Sequence, residues 1–157
     1  MGSVSQAADS PPLARLFAIA YRQLITDLHS ELARQGWTDV RPAYGFALLA
    51  LRDGPMSSGE LGTAMGMTKQ ASSKLVEALV EAGYVRRRSS TGDARVRPVE
   101  LTDRGRRLQS TAEGIYRDLE LAWAEIIGAE RLTALRADLI SVSRNEHGEL
   151  PPVRPLW

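Results

Sequence analysis

Cysteine is absent from the 157 residues and histidine occurs twice. Without sulfur of that kind there is no disulfide framework, no thiol nucleophile and no thiolate metal site, and a zinc cluster would fall mostly to carboxylates. Long apolar runs are missing as well: the longest, Ala43 to Leu51, has nine residues, and a membrane-spanning helix needs about 20. The opening MGSVSQAADSPP holds Asp9 and no basic residue, so it lacks the positive start of a secretory signal. These gaps lead us to expect a cytoplasmic chain without a membrane partner. Catalytic groupings are missing too. His29 and His147 stand far apart, no Ser-His-Asp set is evident, and no glycine-rich loop offers itself to phosphate. Neither catalytic residues, nor a metal, nor a cofactor is expected.

What is present fits one globular domain: 43% hydrophobic and 25% charged residues, enough apolar material for a substantial core. The net charge of +1 conceals an uneven distribution. Between Tyr84 and Arg107 stand eight arginines against Asp93, Glu100 and Asp103, a surplus of five, so the rest of the chain is net negative. One cationic face is therefore expected, which fits either a solvated surface or a polyanionic partner.

Periodicity divides the chain. Residues 1–9 are a polar arm. After Ser10-Pro11, Leu13, Leu16, Phe17, Ala20, Tyr21, Leu24, Leu28 and Leu32 recur at three- and four-residue steps, a helix with one apolar stripe that ends near Gly36. Pro42 opens a segment apolar on nearly every side, as a buried helix requires, and Asp53-Gly54-Pro55 stops it. Ser57 with Glu60 forms a capping-box pattern, Gly66 breaks the helix that follows, and Thr68 caps another that runs to Gly83. YVRRR and VRPVEL, flanking SSTGDA, predict a β-hairpin, and Pro98, with no N–H, predicts that its strand is an edge. Thr102 caps a long helix with a seam through Leu108, Ala112, Ile115, Leu119, Trp123 and Ile126. Beyond Gly128, Leu132, Leu135, Leu139 and Val142 continue a stripe to about Arg144, and a Pro-rich tail follows over 146–157.

A short helix, a glycine turn, a capped helix and a basic hairpin make up a winged helix-turn-helix. Leu61, Met65, Met67 and Leu75 fall where its two helices share a core, and Gly62 is small where they cross. The second helix begins with a polar, cationic surface. Thr68, Lys69, Gln70, Ser72, Ser73 and Lys74 are suited to phosphates and base edges in a major groove. On the hairpin, Arg95 suits a narrow minor groove, with Asp93 holding an arginine in place. Arg86, Arg87, Arg88 and Arg97 offer charge to backbone phosphates. The expected fold is mainly α with a small β-hairpin wing, a winged helix-turn-helix over 40–102 with dimerisation helices over 10–36 and 103–145. The partner is double-stranded DNA, and a winged-helix interaction or architectural protein with little sequence preference stays open beside a sequence-reading regulator.

GDARVRPVELTDRG, following YVRRR and TKQASSKLVEALVEAG, resembles the wing signature of the MarR family of regulators, with Asp93, Arg95, Leu101, Thr102 and Gly105 at the motif positions. The resemblance implies a homodimer with intertwined first and last helices, a pseudo-palindromic operator and a ligand-responsive regulator, expected here to be a repressor. The lack of cysteine separates the chain from the family's thiol-based oxidation sensors. Self-association also follows from the apolar stripes of the terminal helices, which exceed what the winged helix can cover. The resemblance further places an aromatic-anion pocket where the dimer and DNA-binding parts meet. His29, Trp37, Tyr44 and Phe46 are the candidate residues for a small aromatic or phenolic effector, with Arg41 as counter-charge.

Overall fold

The computed structural model describes residues 10–89 and 97–155. Among them the elements run α1 (Leu13–Arg34), α2 (Pro42–Ala50), α3 (Ser58–Met65), α4 (Lys69–Glu81), β1 (Val85–Arg87), β2 (Val99–Leu101), α5 (Asp103–Ile127) and α6 (Ala129–Ser143), with a 3-10 turn over Leu51–Asp53. This is the expected winged helix-turn-helix, mainly α, between long terminal helices.

The helix starts are local chemistry. At α3 the Ser57 hydroxyl accepts from the Glu60 N–H while the Glu60 carboxylate accepts from the Ser57 N–H, so two backbone donors that a helix leaves open are satisfied together. Thr68 accepts from Ala71 N–H at the head of α4, and Thr102 from Gly105 N–H at the head of α5. Between α3 and α4, Gly66 lies in the left-handed region at φ 67°, a conformation that costs glycine nothing and most residues roughly 1–2 kcal/mol. The turn is tight for that reason.

α2 is the hub. Its Tyr44, Ala47 and Leu48 are buried, and it packs against α3, α4 and α5. Leu28 and Leu32 of α1 and Leu108 and Ile115 of α5 close the same core. The α3–α4 crossing is set by size: a methyl group built on Gly62 would stand 3.0 Å from the Ser72 Cβ. Gly105 is under greater constraint, since a Cβ there would run into the Tyr84 carbonyl. That contact seats the head of α5 on the base of the hairpin.

β1 and β2 pair antiparallel, Val85 opposite Leu101 and Arg87 opposite Val99. The edge expected of the Pro98 strand does not form as such. Val99 also exchanges backbone hydrogen bonds with Met56, at 2.7 and 3.1 Å, so β2 lies between β1 and the segment before α3. Pro98 precedes the strand, and its carbonyl accepts from Arg88 N–H, so its missing donor falls outside the ladder.

Burial fades toward the ends. Along the α5 seam Leu108 is 2% exposed and Ile126 81%, and no residue of α6 is buried. After α6 the chain turns at Asn145, whose side-chain oxygen accepts from His147 and Glu149 N–H. The tail then returns to the body, with Arg154 alongside Gly66.

Candidate nucleic-acid interface and the cavity beside it

α4 divides along its length into two faces. Ser72, Leu75, Val76 and Leu79 are buried, while Lys69, Gln70, Lys74 and Glu77 are exposed and Ser73 is half-buried. Ser72 thus departs from the expected contact set. It sits one turn before Val76 on the inward face, fully buried, and its hydroxyl donates to the Ser58 carbonyl. Its role is to lock α4 to α3, which the small Gly62 opposite permits. Thr68 is exposed at the N-cap, where its hydroxyl is engaged with Ala71 N–H. No acidic residue stands in the first turn of α4. The open N–H groups, the helix dipole and Lys69 therefore add to one another as a positive end.

The arginines of the basic segment separate into two kinds. Arg86 is held by Glu100, its cross-strand neighbour, at 2.8 Å. Arg106 donates to the Leu101 carbonyl. Arg104 lies over a small surface network: it donates to the Ala82 carbonyl at 3.1 Å, lies 4.8 Å from the Tyr84 ring centre and 5.2 Å from that of Trp37, and reaches Asp39 at 3.4 Å. Tyr84 donates its hydroxyl to Asp39 at 2.6 Å. Burial, and then the Asp39 carboxylate, push the Tyr84 hydroxyl up to about 12. Asp39 is held below the usual carboxylate range, first by that hydrogen bond, then by its own backbone N–H and by Arg104. Arg87, Arg88 and Arg97 remain exposed. Asp93 and Arg95, expected at the wing tip, lie outside the described residues.

This network also decides the aromatic candidates. Trp37 packs tilted against Tyr84 with ring centres 6.2 Å apart, Tyr44 meets Tyr84 edge-on at 5.9 Å, and Arg41 lies 6.0 Å from the Tyr44 ring centre. All three are absent from the lining of the nearby cavity. Trp37 and Tyr44 pack at the joint between the α1–α2 loop and the hairpin base, and Arg41, next to Val40 and Pro42 of the cavity wall, is itself outside the lining.

The cavity itself, about 170 Å³ between α1, α2 and α5, does take in His29 and Phe46. Its other polar or aromatic walls are Tyr21, Gln109, Glu113 and Tyr116, and Val153 of the tail closes part of it. Sequence reading missed those four. Tyr21, four residues before Ile25 and eight before His29, carried the signal of a shared helix face. Nothing local pointed to Gln109, Glu113 or Tyr116, because α5 comes to this site only by folding. Burial lowers the His29 pKa, partly offset by a hydrogen bond to the Val40 backbone.

A family model described as MarR family matches residues 38–96. An HTH-type transcriptional repressor of Mycobacterium tuberculosis, Rv2887, is 31% identical over 110 residues, which cover 70% of this chain and 78% of that protein. The chain belongs to the MarR family. Another relative of this MarR chain, the exopolysaccharide II synthesis transcriptional activator ExpG of Rhizobium meliloti, is 31% identical over 111 residues, covering 68% of the chain and 57% of ExpG. The chain thus spans little more than half the length of that relative. Among solved structures, Rv2887 in complex with salicylic acid superposes with a TM-score of 0.66 at 27% identity, over 86% of this chain and 98% of that one. A crystal of Rv2887 with DNA gives the same TM-score at 24% identity, over 85% and 98%, which supports the fold of the MarR chain.

Proposed function

We propose that this MarR-family chain is a homodimeric, sequence-reading repressor that acts on double-stranded DNA in the cytoplasm and is released by a small aromatic effector. The observation that carries the DNA reading is the head of α4: Lys69, Gln70 and Lys74 exposed on a helix whose opposite face is locked into α3, with no acidic residue in its first turn. Rigid mounting matters, because base-edge hydrogen bonds discriminate only when their donors are held in place. With Ser73 on its flank, this surface is the major-groove reader in the proposal. Arg87, Arg88 and Arg97 meet backbone phosphates, and Arg95, with Asp93 as its holder, serves the minor groove. Rv2887, a repressor by name and crystallised with DNA, supports the reading.

Dimerisation through 10–36 and 103–145 rests on uncovered apolar side chains at both ends: Leu13, Phe17 and Ile19 on α1, Leu121 and Ile126 on α5, Val142 on α6. Exposed apolar surface of this extent marks an interface. A two-fold dimer then presents two copies of α4 to half-sites about 34–36 Å apart, or a multiple of that. The effector site is the cavity between α1, α2 and α5, at the junction between the helical ends and the reading head. Occupancy there weakens operator affinity by its preference for one relative placement of the two heads.

Selection of bound duplexes from a random pool, followed by titration of the best sequence and of its scramble at matched salt, tests the proposal. The expected outcome is a two-fold consensus bound ~10³-fold or more above the scramble. A ratio near one favours the architectural reading instead.

A further inference from the structure

We propose that the α1–α2–α5 cavity is selective for a single-ring aromatic cation, with the ligand's amine or amidine end at Glu113. The inference rests on the effector reading above and adds the sign of the ligand's charge. The cavity volume of about 170 Å³ suits one ring, since an apolar cavity of about 150 Å³ takes benzene. Its charge is one-sided. Among the described residues of one protomer no arginine or lysine lines it, the exposed Glu113 is its one acidic side chain, and burial favours the uncharged His29 ring. Arg41 lies outside the lining, 6.0 Å from the Tyr44 ring centre, and the tail's Arg154 lies alongside Gly66 while its neighbour Val153 forms part of the wall.

The hydrogen-bonding inventory has the same sense. The Gln109 amide N–H is directed at the Leu48 carbonyl at 3.5 Å, which leaves the amide oxygen as an acceptor. Burial favours the uncharged His29 ring, which keeps one accepting nitrogen. With the Glu113 carboxylate, these acceptors match a ligand rich in N–H donors. Tyr21, Phe46 and Tyr116 add aromatic side chains to the wall, and an aromatic face attracts a cation where it does not attract an anion. An aromatic carboxylate would give up its hydration beside another carboxylate and gain no cation in return.

Benzoate, benzamide and benzamidinium share a ring and a shape and differ in charge, so calorimetric titration of the full chain with all three reads the preference directly. Benzamidinium is expected to bind about three- to tenfold more tightly than benzamide, with benzoate weakest. In Glu113→Gln the benzamidinium advantage disappears while benzamide affinity is unchanged, which also shows the cavity intact. Benzoate or benzamide as the tightest ligand, or an order indifferent to Glu113→Gln, overturns the cation inference and leaves the effector site standing. Failure of all three to bind removes the effector site and the cation inference together.

Discussion

The middle of the chain and its two ends share one helical periodicity and arrive at opposite states. Within the winged helix-turn-helix, Leu61, Val76, Leu79 and Val99 have no exposed surface, whereas Leu13, Leu121, Ile126 and Val142 at the ends are 65–81% exposed. The stripes are alike in composition. The difference is whether an element of the same chain faces the stripe, as α2 does for α3, α4 and α5. Apolar periodicity therefore declares that a face will be covered and is silent about what covers it. In the proposed dimer the uncovered stripes are where the second copy sits.

This contrast can be broken experimentally. Its strongest test is Gly105→Ala. The added methyl meets the Tyr84 carbonyl, a backbone atom that cannot move without displacing β1, so a loss above about 3 kcal/mol in denaturant unfolding is expected. Next, Leu61→Ala in the closed core should cost about 2–5 kcal/mol. The comparable truncation Ile126→Ala should leave the unfolding of an isolated protomer within about 0.5 kcal/mol and act instead on dissociation, seen by sedimentation on dilution. Equal losses at the two sites would mean that the ends are as closed as the middle. A smaller effect is expected at the cap of α4: Thr68→Ala removes the acceptor of Ala71 N–H and should cost about 1 kcal/mol.

The smallest test concerns the joint between the α1–α2 loop and the hairpin base. The Tyr84 hydroxyl, raised from 10.0 to about 12, keeps its proton in the folded state after the unfolded chain has lost it. Its contribution to stability is thus complete below pH 10 and is lost as pH rises from there to about 12. Asp39, lowered from 3.8, contributes above that pH, and its share is lost as pH falls through its lower folded value. Tyr84→Phe should flatten the alkaline limb of the unfolding midpoint against pH and soften the acid limb, since it removes the main cause of the Asp39 shift. Two unchanged limbs would show that the joint does not hold the loop to the hairpin.

Much of the fold was legible because its signals are local. The Ser57–Glu60 box, Thr68 and Thr102, Gly66 in the turn and the apolar steps of the long helices all act within one or two turns of the chain. So did the two faces of α4, apart from Ser72, where a small polar side chain on the inward side looks like surface until Gly62 is seen across from it. The aromatic candidates fared less evenly. His29 and Phe46 reach the cavity, but Trp37 and Tyr44 lie a similar distance along the sequence and pack instead around Tyr84, 40 residues beyond Tyr44. Similarity of residue type gave no way to tell the two destinations apart.

By itself, then, the sequence determined the helices, their caps, the order of the winged helix-turn-helix and the existence of surplus apolar stripes, because each depends on interactions between residues a few positions apart. Folding alone decided which arginines are paired and which side chains line the cavity. Arg104 meets Asp39 across 65 residues and Tyr84 meets it across 45, and Glu113 joins His29 only when α5 is laid against α1. Such contacts are chosen by how whole elements pack, and no spacing within any one element encodes them.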